Sequence, residues 1–311
     1  MKTLSLVTPC YNEEAGIAEC YEACRKIMSE LPGYAYEHVF IDNCSQDRTV
    51  AILKEIAARD KRVKIIVNAR NFGPARSPHH AMLEVNGDAV IPVVADLQTP
   101  PALIPEMVRA WEDGYKIVVA VRENAGAGSP PIALARKIFY SLIRKISKVE
   151  QIANYMGYGL YDRRVMDVMR TLYEPDPYFR GLVPEIGFER KVVTYHQPDR
   201  MHGSSKHSLF DLIDFALMGI TTFSKAPMRL MTVTGFVAAC LSFVFGFLYL
   251  VAKVLFWSSI PFGIAPILIA VFMLGSVQLL ALGLLGEYVG VLLQYARRFP
   301  LVVEKERVNF D

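Results

Sequence analysis

The sequence predicts an α/β domain with a mostly parallel, Rossmann-like sheet, followed by two membrane-spanning helices. Three observations predict it. From Leu4 to Val121, short apolar runs alternate with stretches of helical period, the spacing of a sheet wound by right-handed crossovers. Three of those strands end in polar or acidic loops, at Glu13, Asp42 and Asp96. Strand C-termini of a parallel sheet share one edge, where such folds bind ligands. After residue 230 the chain turns apolar, and Met231 to Trp257 and Pro266 to Leu293 each exceed the roughly 20 residues that span a bilayer.

The elements follow in order. Leu4 to Thr8 is a short apolar strand, broken by Pro9-Cys10-Tyr11-Asn12-Glu13-Glu14. Ile17 to Leu31 carries apolar residues at helical spacing and stops at Pro32-Gly33. Tyr36 to Ile41 is a second strand, Thr49 to Arg59 a helix, and Val63 to Val67 a third strand. Asn71 to Pro74 is a loop, and a helix runs from about Ser77 to Val85. Ala89 to Ala95 reads as a buried strand ending in Asp96-Leu97-Gln98-Thr99-Pro100-Pro101. Pro101 to Asp113 is a helix and Lys116 to Val121 a strand.

Ile132 to Lys148 sets apolar residues on one helical face and Arg136, Lys137, Arg144, Lys145 and Lys148 mostly on the other, the pattern of a helix at a membrane surface. Leu209 to Ser224 is a second candidate of this kind. The link between the two apolar segments, Ser258 to Gly263, has no charge, whereas Lys206, Lys225, Arg229, Arg297, Arg298 and Lys305 flank their other ends. The positive-inside rule therefore puts the large domain and the C-terminal tail in the cytosol. Gly275, Gly283, Gly286 and Gly290 allow close helix contact, and Glu287 reads as facing a partner helix, since an acid facing lipid is costly.

Composition agrees. The chain has 311 residues, 52% of them hydrophobic, and a net charge of +3, too mild to imply nucleic acid. The five cysteines show no metal-site spacing, which suits a reducing compartment, and the N-terminus lacks the pattern of a signal peptide. The histidines do not form a second metal site at ligand spacing. Asp96 is the focus: on an extended backbone it and Gln98 point to one side, and both offer oxygen to a hard cation such as Mg²⁺ or Mn²⁺. The plainer reading is a strand end followed by an Asx-type turn.

The chain resembles the family 2 glycosyltransferases, specifically the polyprenyl-phosphate (dolichol-phosphate-type) enzymes with two C-terminal membrane helices. The likeness runs through Thr8 to Glu14, Ile41 to Thr49, Arg70 to Gly73, Asp96 to Pro101, Val121-Arg122, Phe179 to Leu182, Arg200 to Lys206, Phe223 to Pro227 and Gly286 to Tyr288. It implies a glycosyltransferase type A fold. It also implies a nucleotide-sugar half at 1–125 and an acceptor half at 126–205 with an interfacial helix at 132–148. A juxtamembrane helix at 206–229, two spans within 230–296 and a cytosolic tail at 297–311 complete the expected plan.

By this resemblance Pro9, Tyr11, Asn12, Glu13 and Asp42 hold the nucleotide, and Asp96 with Gln98 holds Mg²⁺ or Mn²⁺ on the donor diphosphate. Arg200 and Lys206 neutralise the leaving diphosphate, while Arg122 and Arg136 take the acceptor phosphate. The implied activity is transfer of a sugar, with UDP-hexose favoured, to undecaprenyl or a similar polyprenyl phosphate at the plasma membrane. A homo-oligomer, with a tetramer favoured, is implied as well. The sequence departs from the family pattern at Val94, Thr99 and Gly157, where acids are usual, and Gly157 stands at the position of a proposed general base. A phosphate acceptor, already ionised, needs little base catalysis; a sugar hydroxyl would need it. Two rivals remain. A processive polysaccharide synthase would want a Gln-x-x-Arg-Trp segment and more spans, and Trp111 and Trp257 lie in no such segment. A non-catalytic binder of sugar nucleotide or lipid would fit the three departures.

Overall fold

The computed structural model describes residues 1–123, 152, 154–196, 226–255 and 263–310. The expected interfacial helices at 132–148 and 209–224, and Arg136, Arg200 and Lys206, lie outside the described residues. The chain divides into two compact units, Met1–Ser208 with Arg298–Asp311, and Leu209–Arg297.

The first unit is built on an eight-stranded sheet in the order β7-β5-β6-β4-β1-β2-β3-β8. Its elements are β1 (Lys2–Cys10), α1 (Ile17–Ser29), β2 (Tyr34–Asp42), α2 (Thr49–Arg59), β3 (Val63–Asn68), α3 (Gly73–Glu84) and β4 (Ala89–Pro92). A 3₁₀ turn (Pro101–Leu103) leads into α4 (Ile104–Glu112) and β5 (Ile117–Arg122). Then come β6 (Tyr155–Asp162), α5 (Arg163–Thr171), α6 (Phe179–Ile186), β7 (Arg190–Tyr195) and, after the second unit, β8 (Glu304–Val308). Pairings β1–β2, β1–β4, β2–β3 and β5–β7 are parallel; β4–β6, β5–β6 and β3–β8 are antiparallel.

The two faces of the sheet are covered separately. Leu4, Leu6, Ile91 and Val118 pack against Cys24 and Met28 of α1 and Met107 and Trp111 of α4. On the same face Phe40 and Ile65 meet Leu53 and Ala57 of α2. The opposite face packs Val39, Ile41, Val90 and Tyr161 against Ala81, Met82, Val165, Met166 and Val183 of α3, α5 and α6. Period 2 in the strands and period 3.6 in the helices place these side chains. Ile104, fully buried, illustrates the stakes: Ile104→Ala would cost about 2–5 kcal/mol through the cavity it leaves.

Several expected boundaries shift for identifiable reasons. β1 runs on through Pro9 to Cys10, where Pro9 pairs with Ile41 and Cys10 with Asp42. Pro9 has no N–H to give, but the missing donor falls on the β4 side, beyond Val7, where the β1–β4 pairing has already ended. α3 begins at Gly73 rather than near Ser77, because Pro74 falls in the first turn, where a missing N–H costs nothing. β4 stops at Pro92, not Ala95. Three strands, β6, β7 and β8, were not expected. The tail at 297–311, expected as a cytosolic segment with no element assigned to it, contributes the outermost strand of the sheet beside β3.

The second unit holds two long helices, α7 (Ala226–Leu255, 30 residues) and α8 (Ile264–Arg297, 34 residues). Leu274–Arg297, with mean hydropathy 1.7, is long and apolar enough to cross a membrane. It is the one such stretch among the described residues. α8 ends at Arg297, and the next residue, Arg298, adopts a left-handed conformation with φ 45°.

Candidate functional site

β1 to β5 all run in one direction apart from the connections between them, so their C-terminal ends share an edge. The antiparallel β6 brings its N-terminal end to the same edge, and β7, parallel to β5, brings its C-terminal end. Pro9, Tyr11, Asn12, Glu13, Asp42, Asp96, Gln98 and Arg122 all fall on this edge or in the loops that leave it.

The loops after β1 and β2 are zipped together. Asn12 donates its N–H to Ser45 Oγ at 2.9 Å and accepts the Gln46 N–H on Oδ1 at 2.8 Å. Glu13 N–H donates to Thr49 Oγ1 at 2.9 Å, Glu14 N–H to Asp47 Oδ2 at 3.1 Å, and Arg48 N–H to Glu14 Oε2 at 3.0 Å. Asn12 and Cys44 sit at positive φ, 55° and 68°, a conformation that costs energy in residues other than glycine and clusters at functional sites. Asp42 is fully buried at the floor of this zipper, accepting the Ser45 N–H at 2.9 Å and the Ser45 hydroxyl as well. Burial pushes its carboxyl above the ordinary carboxylate range, and the two Ser45 bonds oppose that push. Tyr11, in the loop that follows β1, is 38% exposed.

A residue without an assigned role proves to be the hub of the edge. Asn43 donates Nδ2–H to Asn71 Oδ1 (2.8 Å) and to the Gly73 carbonyl (3.3 Å). It accepts on Oδ1 from Asn68 Nδ2 (3.1 Å) and from the Phe72 N–H (2.9 Å). The motifs at 41–49 and 70–73 are thus two halves of one bonded structure. Their co-occurrence in the sequence was the available signal.

After β4 the backbone turns instead of staying extended. Leu97 has φ 55°, the Leu97 N–H donates to the Val94 carbonyl at 3.2 Å, and the Gln98 N–H donates to Asp96 Oδ1 at 3.1 Å. The expectation that Asp96 and Gln98 point to one side of an extended strand is therefore corrected: they belong to an Asx-type turn, and both are half-buried. Thr99, standing where an acid is usual, is buried, and its hydroxyl accepts the Val94 N–H at 3.3 Å, closing the turn from within. Val94 is exposed. Among the described residues no group of three His, Cys, Asp or Glu side chains converges as a metal cage. The donor set that is present, one carboxylate and one carboxamide in a single turn, offers the oxygen atoms that a hard divalent cation would take.

On the other side of β4, Arg122 closes β5, and its N–H donates to the Asn154 carbonyl at 3.4 Å. Gly157 in β6 has φ 93°, and a Cβ there would meet only Phe179 Cδ1, at 3.8 Å. The Phe179 ring lies edge-on to Tyr161 at 5.0 Å and to His79 at 6.2 Å. The hydroxyls of Tyr155 and Tyr161 are bonded to each other, and Tyr161 also donates to the Gly157 carbonyl at 2.9 Å.

The sheet thus gathers a buried acid, an exposed tyrosine and a carboxylate turn along one edge. The chain belongs to glycosyl transferase family 2, which it matches over residues 5–169. It is 34% identical, over 99% of its length and 94% of the relative's, to the uncharacterized glycosyltransferase YkcC of Bacillus subtilis. It is 32% identical to the bactoprenol glucosyl transferase of Shigella phage SfV, over 98% of this chain and 99% of that one. Among solved structures, glucosyl-3-phosphoglycerate synthase from Mycobacterium tuberculosis aligns with a TM-score of 0.48 and 18% identity, over 71% of this chain and 77% of that one.

Proposed function

We propose that the protein is a membrane-bound inverting glycosyltransferase that moves a hexose from UDP-hexose to a polyprenyl phosphate. What carries this reading is the convergence of the Asp42 pocket, the Asp96 turn and Arg122 on one edge of a chain that is 32% identical, over 98% of its length, to a bactoprenol glucosyl transferase. Tyr11 stacks on the base, and Asp42, with the Asn12–Glu13 loop, receives the polar edge of the nucleoside. Asp96 and Gln98 would hold Mg²⁺ or Mn²⁺ against the diphosphate, and the cation supplies charge stabilisation to the departing group. Arg122 and Arg136 hold the acceptor phosphate, and Arg200 and Lys206 neutralise the departing diphosphate, roles carried over from the family resemblance. A phosphate oxygen forms the new bond to the anomeric carbon as the bond to the diphosphate breaks, which inverts that carbon and releases UDP. The attacking oxygen is already ionised, so a glycine at 157 in place of an acid does not stop the reaction.

The membrane reading rests on composition and on connectivity. Both ends of the helical unit, Leu209 and Arg297, continue into the same folded unit. We read this return of the chain, with one crossing at Leu274–Arg297, as an even number of crossings. α7, at 30 residues and about 45 Å, is long enough to be the second crossing of a hydrocarbon core about 30 Å thick. We place the α/β unit on the cytosolic side. We carry self-association, with a tetramer favoured, as part of the proposal: Gly275, Gly283, Gly286 and Gly290 share one face of α8 and have no atom within 4 Å of where a Cβ would be.

A donor panel tests the reading. Purified full-length protein with Mn²⁺ and polyprenyl phosphate should release nucleotide from a UDP-hexose and yield a lipid-linked sugar. Failure across UDP-, GDP- and dTDP-sugars would favour the non-catalytic binder instead.

A further inference from the structure

β8 is made from the charged run Glu304-Lys305-Glu306-Arg307-Val308 that follows the helical unit, and a set of contacts seats it. Lys54 Nζ lies 2.7 Å from Glu306 Oε2, and Arg307 Nη2 donates to Glu84 Oε2 (2.7 Å) and Glu304 Oε1 (2.6 Å). His80 Nε2 lies 2.6 Å from Glu304 Oε1, and Asn309 Nδ2 donates to the carbonyls of Ala57 (2.9 Å) and Val63 (2.8 Å). Each such pair is weak alone on an exposed surface, but together they fix one register beside a backbone ladder.

That register has a consequence at the ligand edge. Asn68, the last residue of β3, pairs with Glu304, the first of β8. Directly beyond it the Ala69 N–H donates to the Val303 carbonyl at 2.9 Å. Ala69 opens the loop 69–72, whose far side hangs on Asn43 through Asn71 Oδ1 (2.8 Å) and the Phe72 N–H (2.9 Å). Asn43 is the neighbour in sequence of the buried Asp42. A bonded path therefore runs from residue 303 to the floor of the nucleotide pocket. Without β8, β3 would be an open edge and the loop would be held from one side only.

We infer that the returning C-terminal strand positions the donor pocket: residues 303–309 hold the loop 69–72 against Asn43 and thereby set the affinity for the nucleotide. The inference rests on the donor reading of that pocket. Glu304 and Arg307 act as positioning residues, touching no substrate.

The test compares full-length wild type with the double variant Glu304→Gln/Arg307→Ala, using UDP as the probe. The Phe72 and Gly73 amides, neither of which bonds to the tail, should exchange with solvent at least tenfold faster in the variant. UDP should bind about tenfold more weakly, with KM for polyprenyl phosphate unchanged within twofold. Fast exchange across 304–308 with wild-type exchange at Phe72 and Gly73 would overturn the inference. Should the double variant not fold, Lys54→Ala, which removes one contact, should give a smaller change in the same direction at both amides, and no change there would equally overturn it. If wild type binds no UDP the donor reading falls, while amide exchange still decides the coupling.

Discussion

Beside β1, β2 and β3 the ligand edge is a lattice of hydrogen bonds: Asn12, Glu13 and Glu14 are tied to Ser45, Asp47 and Thr49, and Asn43 ties in the loop at 71–73. Beside β5, β6 and β7 the same edge is framed by packed rings, with Phe179 against Tyr161 and Tyr158 against Tyr195 at 6.0 Å. On the proposed function, the difference teaches how two unlike substrates would share one sheet. A nucleotide presents many polar atoms at fixed spacing, so its pocket profits from rigid, pre-paired loops that lose little freedom on binding. A lipid phosphate presents one charged group on an apolar chain. It would need a cation, in the proposal Arg122, and space, which the ring-framed Gly157 would leave open.

Four variants or conditions would break or sharpen that contrast. The largest effect is expected at the junction of the halves: Asp96→Ala should lower kcat by about a thousandfold, the scale of losing a preorganised charge stabiliser, in an assay of lipid-linked sugar formation. Retained turnover would remove Asp96 from the machinery. Next, Asn43→Ala strands the Phe72 N–H and removes one of the two bonds of the Asn68 amide, which keeps Ser77 Oγ at 3.0 Å, so about 1–3 kcal/mol of stability should be lost in a urea melt followed by tryptophan fluorescence. A loss under 0.5 kcal/mol would mean the lattice is not holding the donor side.

Gly157→Asp probes the ring-framed side. A carboxylate there faces an anionic acceptor at a strained φ, so KM for polyprenyl phosphate should rise about fivefold, equivalent to about 1 kcal/mol of repulsion, with donor KM unchanged. A rise in kcat would instead show that a base was missing and that the acceptor is a hydroxyl. The fourth test varies pH. His38, buried against Phe40 and bonded to Thr8 Oγ1 at 2.8 Å, is pushed by burial down to about 3, and His79 likewise to about 4. Below their unfolded pKa of 6.5 the unfolded chain binds protons that the folded chain refuses, so stability should fall as pH drops from 6.5 toward 4. The slope approaches about 1.4 kcal/mol per pH unit for each histidine, and His38→Gln should halve it. An unchanged slope would show that His38 takes up its proton in the fold.

The contrast also explains what the sequence could disclose. β1 to β5 and their loops were legible because apolar runs alternate with helical periods and each ligand loop is local in the chain. Two boundaries there moved for one-residue reasons, Pro74 opening α3 and Leu97 turning the chain after β4. β6 escaped because Tyr-Met-Gly-Tyr-Gly-Leu-Tyr-Asp, with two glycines and buried tyrosines, has neither the alternation of a half-exposed strand nor an unbroken apolar run. β8 escaped because its charges are satisfied by Lys54, His80 and Glu84, more than 200 residues away, a fact no local window contains. Asn43 was visible within a motif, but its part as the link between two motifs is a matter of three-dimensional pairing.

The most direct measurement is UDP binding by calorimetry, with and without Mn²⁺, in wild type and Asp96→Ala. The account predicts that Mn²⁺ tightens UDP binding at least tenfold in wild type and has no effect in the variant, while metal-free binding through Tyr11 and Asp42 is the same in both. An Asp96→Ala protein that keeps the full Mn²⁺ increment would contradict it.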